Sequence, residues 1–181
     1  GCDDDYTLWA AIVTGWFFLL RSCEFLASDN APWHMERVIA GADLVPRLRG
    51  ERIRDFSAAD EVVLYIKGSK TDQYNAGCIR NHYRSGTDIC PIVVMEGMQR
   101  RFPERFHDDA LLPIFRCRSG KMLSRTDLDK ALRLAAIALG ISPDRLRSHS
   151  LRIGGATALY QAGLEIEVIK RFGRWRSDTF H

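Results

Sequence analysis

Nothing in the sequence is spaced to hold a metal, and no apolar run is long enough to cross a membrane. The five cysteines, Cys2, Cys23, Cys78, Cys90 and Cys117, are odd in number, widely scattered and without a CxxC pair. They indicate neither a disulfide framework nor a zinc site, and they fit a reducing compartment. The longest apolar run, from Leu8 to Leu20, has thirteen residues, where a bilayer core requires about 20. It lacks the basic start and small-residue cleavage site of a signal peptide, so it reads as a buried helix. There is no glycine-rich phosphate loop for a nucleotide, no internal repeat and no low-complexity tract. A net charge of +3 is too small to argue for a polyanionic partner by itself. An intracellular protein is expected, nuclear in a eukaryote and cytoplasmic in a prokaryote.

What is present is ordinary globular material. The 181 residues are 46% hydrophobic and 27% charged, enough for one sizeable core. The C-terminal quarter leans basic, with Arg145, Arg147, Arg152, Lys170, Arg171, Arg174 and Arg176 against only four acids. The chain opens on Gly1 and stops at His181 within an amphipathic stretch, so it reads as a fragment cut at both ends.

The pattern predicts a mainly helical α+β domain carrying a small antiparallel sheet. A first helix is expected from Asp3–Asp5, whose carboxylates suit a helix N-terminus, through to about Ala27, with Trp9 and Trp16 in the core. Trp33, beyond a turn that contains Pro32, is also expected in the core. Short strands are expected at Val38–Ile39 and Asp43–Val45. Glu61–Ile66 is rich in β-branched residues and Gly77–Tyr83 alternates, which together predict an antiparallel pair joined by the long loop Lys67–Ala76. Pro91, capped by Cys90, opens a helix to about Phe102. Ser124 and Asp127 form a capping pair before an apolar face of Leu128, Ala131, Leu132, Ala135 and Leu139. Helices are also predicted over Ser150–Ala162 and over Glu165–Phe172, the latter stopped by Gly173.

Several of these elements carry residues with chemical potential. Arg21 and Glu24 lie one helical turn apart and can meet on one face; the plain alternative is a surface ion pair. Lys70, in Ser69-Lys70-Thr71, sits on a loop that can deliver a proton into a groove, whereas Lys67 beside it looks merely solvated. His149 and Arg152 stand three apart at a helix start, where backbone N–H groups also favour an anion. Behind them Gly154 and Gly155 cost ~1 kcal/mol each relative to alanine in a helix, which signals close approach of another backbone. Trp175 follows a turn and, taken alone, reads as core.

Taken together and in order, these features resemble the tyrosine recombinase family. The set comprises an arginine with an acid three residues on, an SKT lysine between two strands, the segment HSLRIGGAT and the segment GRWRSDTF. The resemblance implies the fold of DNA breaking-rejoining enzymes and a catalytic domain over residues 1–181, without the family's N-terminal core-binding domain. It implies strand cleavage and rejoining of double-stranded DNA through a 3′-phosphotyrosyl intermediate, without a cofactor, metal or nucleotide, by a homotetramer on DNA. Arg21 and Arg152 would hold the phosphate and Glu24 would orient Arg21. Lys70 would protonate the leaving 5′-oxygen. His149 would bind the phosphate or take the tyrosine's proton, and Trp175 would donate its indole N–H or pack the site. Relatives place the nucleophile a short way past the Trp175 position, beyond His181, so this fragment is expected to be inactive; Tyr160 matches no motif. Two alternatives are a decayed or domesticated mobile-element protein that binds DNA without cutting it, and a type IB topoisomerase. Relatives of the latter kind carry lysine at the His149 position.

Overall fold

A computed structural model describes residues 2–28, 33–68 and 77–175. Among these residues the order is α1 (Asp3–Phe17), α2 (Ser22–Phe25), β1 (Leu44–Leu48), β2 (Glu51–Arg52), β3 (Glu61–Ile66), β4 (Cys78–Tyr83), α3 (Pro91–Arg101), α4 (Arg125–Ala138), α5 (Ser148–Gln161) and α6 (Ile166–Gly173). The fold is α+β and mainly helical, as expected. The strands form one antiparallel sheet in the order β2-β1-β3-β4. Packing runs from the sheet through α3 to α1, then to α5, which carries α6 and α4 on its flanks.

The local signals explain most element starts. Cys90 precedes Pro91, the first residue of α3, where proline's missing N–H breaks no helical bond. The Ser124 hydroxyl accepts the Asp127 N–H (3.1 Å), and an Asp127 carboxylate oxygen accepts the Ser124 N–H in return (3.1 Å). The β1–β2 turn is made by Arg49 and Gly50, both at positive φ (53° and 84°), the backbone twist that two-residue hairpins favour. The central strand β3 is buried on both faces except at Tyr65, while the edge strand β4 alternates.

Several expectations are corrected. The first helix ends at Phe17, ten residues early, and a turn through Leu20 separates it from α2. Trp9, Trp16 and Trp33 are not core: each is more than a third exposed (39%, 36% and 37%). The core is filled instead by Phe18, Phe25, Phe56, Phe115 and the aliphatic side chains of β3 and α3. Val38–Ile39 is a buried loop pinned by Ile39, which donates to Glu24 O (2.8 Å) and accepts from Ile114 N–H (3.0 Å). On α4 the buried face is Leu128, Leu132 and Ala136, whereas Ala135 and Leu139 are exposed. Lys67 is anchored rather than solvated: its ammonium donates to Met35 O and Val38 O (3.0 Å each) and pairs with Asp43 (2.9 Å). Among the described residues no helix is long and apolar enough to cross a membrane.

The helix α5 lies very close to the end of α1. A Cβ added at Gly155 would stand 2.4 Å from Trp16 O and 2.5 Å from Leu19 Cδ2, and one at Gly154 would meet the Trp16 indole. The expected backbone approach is therefore present at Gly155, while at Gly154 the neighbour is a side chain.

Candidate functional site

The centre of the site is the turn between α1 and α2. Leu20 N–H donates to Gly15 O (3.0 Å) and Leu19 N–H to Trp16 O (3.4 Å), with Leu19 left-handed at φ 48°. This helix closure usually employs glycine; a leucine there costs on the order of 1 kcal/mol. Burial of its side chain against Ala156 and Ile169 offsets that strain. The end of α6 repeats the device: Trp175 N–H donates to Lys170 O (3.0 Å), Arg174 N–H to Arg171 O (3.3 Å), and Arg174 is left-handed at φ 60°. The helix therefore stops on Arg174, one residue beyond the glycine expected to stop it. Gly173 serves another purpose, since a Cβ there would lie 1.6 Å from the Trp175 ring.

Three guanidinium groups gather at these two helix ends. Arg152, on the first turns of α5, is buried and donates through Nη1 to Leu19 O (2.5 Å) and through Nη2 to Gly173 O. Its Cζ stands 4.2 Å from the centroid of the Trp175 ring, a cation–π stack. Arg21, the residue that caps α2, donates through Nη1 to Glu24 Oε1 (3.3 Å) and through Nη2 to Arg174 O (3.1 Å). Arg174 donates through Nη2 to Glu24 Oε2 (2.8 Å) and to Leu19 O (3.2 Å). Glu24 is 1% exposed and also accepts the Arg21 N–H (2.8 Å). Burial, followed by the neighbouring charges of Arg21 and Arg174, pushes the Arg152 pKa down to about 10. It remains a cation at neutral pH.

The structure thus brings Arg21, Glu24, Arg152 and Trp175 to one place. The Arg21–Glu24 contact does not lie along one helix face; it joins a part-buried cap residue to a buried carboxylate on the first turn of α2. Trp175 packs on Arg152 and on the small cluster of Leu19, Ala156 and Ile169. His149 departs from expectation. It is exposed on the first turn of α5, while Arg152 turns inward, and no hydrogen bond joins it to Arg21, Glu24 or Arg152. The N-terminus of α5 already holds an anion of this chain, since Ser148 N–H donates to Asp129 Oδ1. Lys70 lies outside the described residues. Among the described residues no group of His, Cys, Asp and Glu side chains is arranged to hold a metal.

Three residues of this neighbourhood escaped the sequence reading. Arg174 stands within GRW beside Trp175, and nothing in that short motif marks it apart from the other bases of the C-terminal quarter. Arg80 on β4 donates through Nε to Phe172 O (2.9 Å) and through Nη2 to Arg171 O (2.6 Å), tying the sheet edge to the end of α6. His82, also on β4, bonds through Nε2 to Phe17 O (2.7 Å) within a box of Phe17, Phe18 and Phe172 rings. Burial holds its pKa below the usual imidazole value, opposed by that hydrogen bond. Neither residue carries a sequence signal, because their partners are backbone carbonyls distant in the chain.

The geometry is one of clustered cations set by helix-end carbonyls around a single carboxylate, an arrangement suited to an oxyanion such as a phosphate group. No curated protein matches the chain. The model of the phage integrase family matches residues 91–180, which include Arg152, Arg174 and Trp175, while Arg21, Glu24 and Lys70 precede the matched range. With that match and the helical α+β fold described above, the chain belongs to the phage integrase family, the tyrosine recombinases, which act on DNA.

Proposed function

We propose that residues 1–181 form the catalytic domain of a site-specific DNA recombinase that exchanges strands through a covalent 3′-phosphotyrosyl intermediate. The observation that supports this reading is the gathering of Arg21, paired with the buried Glu24, and Arg152, held on the Leu19 carbonyl, at the turn between α1 and α2 although they lie far apart in the chain. Their forked donors match the non-bridging oxygens of a phosphodiester and stabilise the charge that grows on them. Glu24 orients Arg21, and Trp175 holds the plane of Arg152. In the cleavage step the tyrosine oxygen attacks phosphorus, the bond to the 5′-oxygen breaks, and that oxygen leaves with the electron pair and takes a proton from Lys70. The tyrosine's proton passes to His149 or to solvent. In this scheme Arg21, Arg152, Lys70 and His149 supply the phosphate binding and proton transfer that the attacking tyrosine needs. One phosphodiester replaces another, so bond energy is retained and no nucleotide is consumed. Double-stranded DNA is the partner, and the working assembly is a homotetramer on it.

The test is covalent capture. A protein that carries this chain together with the tyrosine segment is expected to form a protease-resistant adduct with the 3′ side of a nicked suicide duplex, and Arg152→Ala is expected to abolish it. An adduct that survives this change refutes the assignment of Arg152.

A further inference from the structure

Glu24 pairs directly with the guanidinium groups of Arg21 and Arg174, and that of Arg152, held by carbonyls beside them, feels its charge without bonding to it. The other acceptors that hold them are the carbonyls of Leu19, Gly173 and Arg174 and, for Arg174 Nη1, the Cys78 sulfur (3.9 Å), which orient cations without cancelling their charge. The cluster therefore keeps an excess of two positive charges. A phosphodiester carries one negative charge in its ground state and gains a second as a nucleophile adds to phosphorus. Interactions that strengthen on the way to the transition state are the ones that accelerate a reaction.

We propose that Arg174 is the positioning residue that matches this site to a dianionic phosphoryl group: it clamps Glu24 from the side opposite Arg21 and supplies the second excess charge. The inference rests on the phosphodiester reading above and extends it to the charge state that the site prefers. Three features of Arg174 support it. Its Nη2 bridges Glu24 Oε2 and Leu19 O, so one guanidinium fixes both the counter-ion of Arg21 and the acceptor of Arg152. Its own carbonyl, presented by the left-handed turn, accepts from Arg21. Its buried Nε–H has no acceptor among the described residues, although such donors are ordinarily satisfied. The charge of Arg174 is also felt at Arg152, whose protonated form it disfavours.

The test uses the 181-residue chain with two small probes, inorganic phosphate at a pH where it is a dianion and dimethyl phosphate, a monoanionic diester. Affinities are followed by calorimetry and by the arginine side-chain nitrogen resonances. The parent is expected to prefer inorganic phosphate. Arg174→Gly, which suits the left-handed backbone at this position, is expected to lose roughly tenfold in affinity for inorganic phosphate, the scale of one charged hydrogen bond, and to discriminate little between the probes. Arg174→Lys, which restores charge without the fork, is expected to recover the preference for the dianion at weaker affinity. Thermal midpoints of both variants establish that they are folded. Parent-like affinity and discrimination in Arg174→Gly, with both lost in Arg152→Gln, overturns the role of Arg174 and leaves the phosphate site standing. Parent-like binding in Arg152→Gln overturns the phosphate site itself.

Discussion

Gly155→Ala sets two physical effects against each other, and the structure decides the winner. Alanine in place of glycine inside an exposed helix stabilises by roughly 1 kcal/mol. Here the new Cβ would stand 2.4 Å from Trp16 O and 2.5 Å from Leu19 Cδ2, about an ångström inside ordinary contact. The carbonyl belongs to the closing turn of α1 and accepts Leu19 N–H, so it has no rotamer to swing through. Relief requires α5 to move off α1, at the upper end of the ~1–3 kcal/mol that overpacking costs. The net expectation is a loss of about 1–2 kcal/mol, or a Tm lower by roughly 2–8 °C for a chain of this length. Gly154→Ala is the control. Its Cβ would meet Cζ3 of the Trp16 indole, also at 2.4 Å, but that ring is 36% exposed and can turn outward, so the change should be close to neutral. Thermal unfolding of the three proteins by far-ultraviolet circular dichroism measures the difference. A Tm for Gly155→Ala at or above the parent value would show that helix propensity wins and that the α1–α5 approach is not the constraint described.

Two further outcomes follow from the packing around the site. Lys67→Met removes an ammonium shared by Met35 O, Val38 O and Asp43, and should cost about 2 kcal/mol; a Tm within a degree or so of the parent in the same assay would restore the solvated reading of this lysine. His82, held below its usual pKa by burial, is neutral in the fold where the unfolded chain begins to bind a proton. Its contribution to stability is therefore present above the ordinary imidazole pKa and is lost as pH falls through the folded value. Urea unfolding at about pH 7 and about pH 5 should show a steeper acid loss in the parent than in His82→Gln, and equal losses would count against the buried neutral imidazole.

The elements legible in the sequence were those whose cause is local. Proline after Cys90, the Ser124–Asp127 pair and the β-branched run of β3 each act within a few residues, and each element starts where they place it. The end of α1 was illegible because no glycine marks it: Leu19 adopts the left-handed conformation because its side chain is buried against α5 and α6, a cause distant in sequence. Gly173 misled in the opposite sense, having been selected by the Trp175 ring and not by a turn. The order of motifs singled out Arg21, Glu24, Arg152 and Trp175, and the fold brings these four side chains together. Helical spacing put His149 beside Arg152, but spacing fixes Cβ positions and leaves open whether a side chain turns inward to carbonyls or outward to water. Lys67 looked solvated because its partner, Asp43, belongs to another element.

The choice of acceptors around the arginines has a consequence for how the site works. A cation is held rigidly either by carboxylates, which cancel its charge, or by dipoles, which do not. Here α1 and α6 end in left-handed turns that leave the carbonyls of Leu19, Gly173 and Arg174 without helical partners, and the guanidinium groups take them up. Helix C-termini are the electrically favourable end for cations, so the same turns that break the helices also stabilise the cluster. Arg152 spends one donor on Leu19 and one on Gly173, and its guanidinium stacks on the Trp175 ring. Its orientation is thus fixed by these contacts, and under the proposed phosphate reading that preorganisation would keep reorganisation during reaction small. The strained conformation at Leu19 follows from the same logic: a glycine would make the turn with less strain but would leave the pocket of Ala156 and Ile169 unfilled and the position of that carbonyl less determined.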